Sequence, residues 1–321
     1  MFVALWFLSN SFFQDAIALL VALDKFAEYF LVAALPVLFI SVCTRYWKSA
    51  VFSIVPVLIA GYFYGPLLLP LNSSTTTTPN AETIRIGTYN LWNHNQNYDG
   101  IRKLVDDIDV DVLAIQELTE EQKEPVVSRL SKTHPYYFIS EPVYGGTTAL
   151  FSKRELHNIE VLDFGIDRPA ILAEIKFNGL DVTVVSAHLN PSYWAYANQP
   201  LRAVPARFHQ YIKDQNAQAN KIIDAVRGRE NSQASVLACD CNSQETASTN
   251  KLLRSYFHEA LRTMGFRWNS EIDNDALSFE QSLAHIDYVW FQGNIKLFAV
   301  YRAKLSAGSD HQPIVAEFSS L

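Results

Sequence analysis

Nine polar residues each end or interrupt an apolar, strand-like run: Asn90, Glu117, His188, Asn190, Asp240, Asn242, Asp287, Asp310 and His311. Carboxylates and amide oxygens are ligands for hard divalent cations. Imidazoles move or stabilise a proton near neutral pH. Two of the nine are neighbours in Ala307-Gly308-Ser309-Asp310-His311-Gln312-Pro313, a small polar stretch before the strand-like Ile314–Phe318. An Asp beside a His is, taken alone, most often a surface pair. Asp287 is a sharper signal, because it stands inside the largely apolar run Leu283–Phe291. A lone carboxylate there is costly unless paired, and a charged His311 is an obvious partner.

Periodicity indicates the elements that hold these residues. Ile84–Asn90 alternates as a strand does, and Val110–Glu117 is apolar enough to be buried on both faces. Both end in an oxygen ligand, the pattern expected where a sheet edge carries a site. Asp99 is placed to cap a helix through Ile101, Leu104, Val105 and Ile108. Further strands are expected over Tyr136–Ser140, Thr147–Ser152, Glu160–Phe164, Ala170–Phe177 and Asp181–Ala187, the last running into His188. Asn178-Gly179 is a hairpin signal and Gly145-Gly146 a turn signal. A helix is expected over Arg207–Val226, and Arg267–Glu280 reads as polar and irregular.

The strand Ala234–Asn242 puts Asp240 and Asn242 on one face and Cys239 and Cys241 on the other. A disulfide between residues two apart on a strand needs unusual backbone geometry. The two cysteines are therefore expected to be small packing residues, and no cysteine spacing typical of a metal site is present. His94, His134, His157, His209, His258 and His285 fall outside the constellation and read as surface or packing residues. Arg202 and Arg207 are secondary phosphate-binding candidates. Residues 192–204 form an aromatic, prolyl insertion, including Tyr193, Trp194 and Tyr196, which could lie at a membrane interface or over the site.

The first 71 residues differ in kind. Their only charges are Asp15, Asp24, Lys25, Glu28, Arg45 and Lys48. Ala50–Leu71 carries none, and a bilayer span takes roughly 20 apolar residues. Phe26–Cys43 is a second candidate span and Phe2–Leu23 a weaker third. Arg45 and Lys48 in the short loop between Phe26–Cys43 and Ala50–Leu71 favour the cytoplasmic side, which places everything after Leu71 outside the cytoplasm. Residues 72–82 read as a flexible Ser/Thr-rich linker and 83–321 as the catalytic domain. Residues 1–82 hold three of the 26 Lys/Arg and four of the 33 Asp/Glu, so the remainder has 23 and 29 and a formal charge of −6. An acidic domain lowers the case for a nucleic-acid partner, since phosphate backbones are gripped by basic faces.

Thr88-Tyr89-Asn90, Ile115-Gln116-Glu117, Ser186-Ala187-His188-Leu189-Asn190, Asp240-Cys241-Asn242, Ile286-Asp287-Tyr288 and Ser309-Asp310-His311 follow one another in the order of a known pattern. The set resembles the endonuclease/exonuclease/phosphatase superfamily, which includes DNase I, abasic-site endonucleases, sphingomyelinases and inositol phosphatases. One departure is visible: the family's fourth motif is usually Gly-Asp-Phe-Asn, and here it is Cys239-Asp240-Cys241-Asn242. The resemblance implies an α/β (α+β) four-layer sandwich of two packed mixed sheets flanked by helices, here after two or three transmembrane helices. It implies Glu117 as the main ligand of Mg²⁺ or Mn²⁺, with Asn90 and Asp310 nearby. Asp287 would orient His311, and Asp240 would orient or deprotonate the attacking water. Asp240 and His311 both remain open as the general base. His188 would stabilise charge on the phosphoryl oxygens, with Asn190 and Asn242 assisting.

The spans resemble those of the superfamily's membrane-anchored bacterial phosphatases. The expected activity is hydrolysis of a phosphoric ester or anhydride at the bilayer, on a phosphorylated lipid or small molecule. A tethered extracytoplasmic nuclease is the alternative within the same chemistry, and an inactive membrane scaffold the alternative outside it.

Overall fold

Each sheet is built around one parallel pair of strands, and this sets where the polar strand ends gather. In a computed structural model, residues 27–68, 82–141, 146–165, 168–191, 204–265 and 285–321 are described. The first sheet contains β1 (Thr83–Asn90), β2 (Val112–Leu118), β3 (Tyr136–Ile139), β4 (Thr147–Ser152), β11 (Ile295–Arg302) and β12 (Ile314–Ser320), in the order β11-β12-β1-β2-β4-β3. The second contains β5 (His157–Leu162), β6 (Ala170–Phe177), β7 (Leu180–His188), β8 (Ala234–Asp240), β9 (His258–Glu259) and β10 (Asp287–Gly293), in the order β5-β6-β7-β8-β10-β9. Only β1–β2 and β7–β8 are parallel pairs among the described strands.

The period-two pattern of the strands sorts side chains into layers. Ile84, Ile86, Val112 and Ala114 of the first sheet meet Ile171, Ala173, Val184, Val236 and Val289 of the second. The intervening Leu113 and Ile115 face outward, under α3 (Tyr98–Ile108) and α4 (Glu120–Leu130). Leu172, Val185 and Leu237 face outward from the second sheet, under α5 (Val204–Arg227) and α6 (Ser248–Arg254). A short α7 (Ala260–Met264) follows β9. The helix–sheet–sheet–helix stack thus has three apolar seams, each with one alternating half of a strand in it.

Local signals set the boundaries. α3 is capped by Asn97, whose Oδ1 accepts the Gly100 N–H at 3.1 Å; Asp99 lies in the first turn and pairs with Arg129 instead. α4 opens with a reciprocal capping box of Thr119 and Gln122. Asn178 and Gly179 both have positive φ, 48° and 80°, and close the β6–β7 hairpin.

Two further expectations change. Cys239 and Cys241 form a disulfide, with Cα atoms 5.2 Å apart. Two positions apart on an extended strand, Cα atoms stand about 6.6–6.8 Å apart. β8 ends at Asp240 and the chain bends there, which brings the sulfurs together. The apolar amino-terminal region forms α1 (Ala27–Cys43) and α2 (Trp47–Leu68), packed on each other. Trp47–Pro66 is the one described helix long and apolar enough to cross a membrane, at 20 residues and mean hydropathy 1.5. α1, with 17 residues, is shorter. The stretch at 2–23, the tract at 72–81 and the segments 192–203 and 267–280 lie outside the described residues.

Candidate active site

The two parallel pairs point their carboxyl ends the same way, so Asn90, Glu117, His188 and Asp240 arrive at one edge of the sandwich. Two antiparallel partners complete the set. β10 runs against β8 with Asp287 opposite Asp240, and β12 runs against β1, which leaves His311 just ahead of its start. Six chain segments, distant in sequence, thereby meet at one cleft.

Asp240 is at the centre. Its Oδ2 accepts from Asn90 Nδ2 at 2.9 Å and lies 3.4 Å from His188 Nε2 and 4.0 Å from His311 Nε2. Its Oδ1 accepts the Asn242 N–H at 3.0 Å. Burial, reinforced by the Asp287 carboxylate, pushes the Asp240 carboxyl up to about 7. His311 Nδ1 donates to Asp287 Oδ2 at 2.8 Å, which fixes the ring's tautomer and leaves Nε2 facing the cleft. Burial disfavours its charge, but Asp287 outweighs burial and raises the imidazole to about 10. His188 behaves oppositely: burial, then the adjacent Arg168, hold it well below the ordinary histidine range. One neutral and one cationic imidazole therefore flank the same carboxylate.

Glu117 has φ 58°, in the left-handed region, where β2 breaks register against β4. Strained backbone of this kind collects at functional positions. The bend requires Gly146 opposite it, since a Cβ there would lie 2.5 Å from the Glu117 carbonyl carbon. Glu117 Oε2 accepts the Asn93 N–H at 3.2 Å, and Oε1 lies 3.7 Å from His188 Nε2. Asp310 is the most exposed carboxylate of the cluster, with Oδ1 4.0 Å from His311 Nε2.

Asn190 and Asn242 lie beside this cluster with their side-chain amides engaged by neighbours. Asn190 Nδ2 donates to Asp214 at 3.4 Å, and Asn242 Nδ2 to the Leu189 carbonyl at 3.1 Å. Among the other candidates, Arg202 lies outside the described residues and Arg207 is exposed on α5. Arg168, which sequence reasoning passed over, is in the cleft. It is buried, with Nη1 2.5 Å from His188 Nδ1. The only signal was an arginine before Pro169 at the start of a buried strand.

The donors suit a hard divalent cation: Glu117, Asn90, Asp240 and Asp310 offer oxygens and no thiolate. Asp240, Asp287 and His311 have ligand-type atoms within 4.8 Å of one another. Asp287 Oδ1 is buried without a hydrogen-bond partner among the described residues. Such a crowd of carboxylates stays fully charged only beside a cation; otherwise one of them takes up a proton.

The model of the endonuclease/exonuclease/phosphatase family matches residues 87–311, and the chain belongs to that family. Its members are phosphoester hydrolases, usually metal-dependent. Solved structures repeat the fold at low identity. D. rerio TDP2 complexed with a single-strand DNA product is 16% identical at TM-score 0.57, covering 74% of this chain and 100% of that one. An endonuclease/exonuclease/phosphatase from Beutenbergia cavernae is 16% identical at 0.54, covering 75% and 72%. The human Nocturnin catalytic domain is 15% identical at 0.53, covering 74% and 94%. No curated protein matches the chain.

Proposed function

We propose that this protein is a divalent-metal-dependent hydrolase of phosphoric esters or anhydrides at a membrane surface, acting on a lipid-linked phosphate or diphosphate from the extracytoplasmic side. The observation that carries the membrane part is the joint between α2 and the catalytic domain. Pro66 has no N–H, so the Tyr62 carbonyl lacks its helical donor. Arg262 on α7 supplies one, with Nη2 3.4 Å from Tyr62 O and Nη1 2.8 Å from Phe63 O. Nη1 also reaches Glu245 at 3.3 Å, in the loop that follows Asn242. The end of the apolar helix is thus tied to the segment that carries Asp240. A site held at a bilayer meets lipid head groups at high effective concentration.

The chain's own groups supply most of the chemistry. Asp240, neighboured by both imidazoles, holds the attacking water and accepts its proton. His311, kept charged by Asp287, stabilises negative charge on the phosphoryl oxygens. Arg168 and His188 form a donor pair on the opposite wall, and Asn190 and Asn242 brace the loops that hold it. Glu117, Asn90 and Asp310 would hold Mg²⁺ or Mn²⁺, which supplies charge neutralisation at the nonbridging and leaving oxygens.

The deciding test uses the full-length chain in lipid nanodiscs with Mg²⁺. Inorganic phosphate release from a polyprenyl diphosphate is compared with nicking of supercoiled DNA, with Glu117→Ala as the blank. Phosphate release without nicking is expected. Nicking without phosphate release would make the protein a tethered nuclease.

A further inference from the structure

Asp240 stands between two cysteines bonded to each other. Both are fully buried and face away from the cleft, into the apolar layer with Leu189, Leu253, Tyr288 and Trp290. The Asp240 carboxylate faces the cleft, so the covalent ring closes behind the backbone that carries it. That backbone is also held in the sheet, with Asp240 paired to His188 on one side and Asp287 on the other, and beyond the strand end by Leu189 N–H to Asp240 O and Cys241 N–H to Ile286 O, both 2.9 Å, and by Gln215 Nε2 to Cys241 O at 3.1 Å. Just after the ring the chain turns through Asn242, at φ 47°, and the turn aims the Asn242 N–H at Asp240 Oδ1. The disulfide spans the bend at Asp240, where its two Cα atoms stand 5.2 Å apart, and the Asn242 turn that fixes the carboxylate follows directly on it.

We propose that Cys239 and Cys241 are positioning residues for the hydrolysis: their disulfide fixes the bend that sets Asp240 against His188 and His311, so the site is complete only when the pair is oxidised. The proposal rests on the catalytic role given to Asp240 above. The bond forms by exchange with a small-molecule or protein disulfide. One cysteine thiolate attacks that disulfide and expels a thiol. The second cysteine then attacks the mixed disulfide and expels the other thiol. Two cysteine thiols lose two electrons and two protons, and the oxidant becomes two thiols. Such bonds persist in oxidising compartments, the side of the membrane on which the Arg45–Lys48 loop would put this domain.

The first measurement is independent of activity. Full-length protein in detergent is unfolded with iodoacetamide and no reductant, and alkylated cysteines are mapped by mass spectrometry. Cys43, which is free and exposed, is expected to be the one alkylated cysteine. Alkylation at Cys239 and Cys241 would overturn the proposal. The second measurement is kinetic, on whichever phosphoester the protein hydrolyses. Cys239→Ser/Cys241→Ser is expected to lose kcat by about 10- to 100-fold with KM nearly unchanged, as a misplacement of catalytic groups does. A serine pair with wild-type kcat would overturn the positioning role. Should the serine pair not fold, wild-type protein is refolded with dithiothreitol or with oxidised glutathione. Activity in the second alone, restored to the first by adding oxidant, is expected; equal activity in both would overturn the proposal. If wild-type protein hydrolyses nothing, the function proposed above has failed, and the alkylation map still decides the disulfide.

Discussion

Buried Asp240 and half-buried His311 are a pair with opposed charge preferences, and most of the site's behaviour follows from that. Asp240 sits near 7 because burial and Asp287 resist its charge; His311 sits near 10 because Asp287 favours its charge. Activity is expected to rise with pH up to about 7, as Asp240 loses its proton, and to fall above about 10, as His311 loses its own. A bound divalent cation would move the lower limb to lower pH. A kcat–pH profile of wild type beside His311→Ala checks this: the alkaline limb should vanish in the variant. Asp287→Asn should cost about 10²- to 10⁴-fold in kcat, the range of a lost proton-transfer or charge-orienting group. Arg168→Ala should raise KM and lower kcat together, and Arg168→Lys should restore only part, because a point charge does not replace a planar fork. The cluster's members were legible because each lies at or next to the end of an apolar strand. Arg168 was not, since a lone arginine before a proline has no periodic pattern, and burial is its only distinguishing property.

Strand ends carry the site, and their local geometry is specified by small residues. Gly146 faces Glu117 so closely that any side chain displaces the Glu117 backbone. Gly146→Ala, with φ at 91°, is strained as well. It is expected to lower the melting temperature and to lower metal affinity more than a substitution in β5, measured by calorimetric titration with Mn²⁺. Most strand spans were readable because their period-two patterns map onto the apolar seams, whereas the helix Glu120–Leu130 and the strand Ile295–Arg302, both rich in exposed or half-buried positions, were not. The disulfide was not, because a strand pattern gives the facing of Cys239 and Cys241 but not the bend after Asp240. Asn190 and Asn242 were expected to assist at the phosphoryl oxygens; the partners of their amides, Asp214 and Leu189, come from chain crossings that no local pattern encodes.

For the whole molecule, the parallel pair in each sheet explains how six separated segments reach one edge. Any chain with this strand order gathers those ends, so the order of the motifs along the sequence was sufficient to indicate the fold. The same crowding makes the metal-free protein pH-sensitive. Asp240 has a folded value near 7, above the ordinary 3.8, so the folded state holds its proton more tightly between those values and loses that stabilisation as pH rises through about 7. His311, raised from 6.5 to about 10, contributes stability that is full below 6.5 and is lost as pH rises through about 10. Both effects have the same sign, so melting temperature in EDTA should fall from pH 5 to pH 9, and added Mg²⁺ should reduce the fall. The joint between α2 and Arg262 belongs to this level too. Arg262→Ala should leave hydrolysis of a soluble phosphoester unchanged and slow hydrolysis of a substrate embedded in a nanodisc.

The most direct measurement is phosphate release from a polyprenyl diphosphate by full-length wild type and Asp240→Asn, each in Mg²⁺ and in EDTA. Hydrolysis that needs both the cation and the Asp240 carboxylate, with the variant reduced by about 10³-fold or more, is the expected result. Undiminished hydrolysis by Asp240→Asn, or by wild type in EDTA, would contradict a metal-dependent hydrolase centred on this carboxylate.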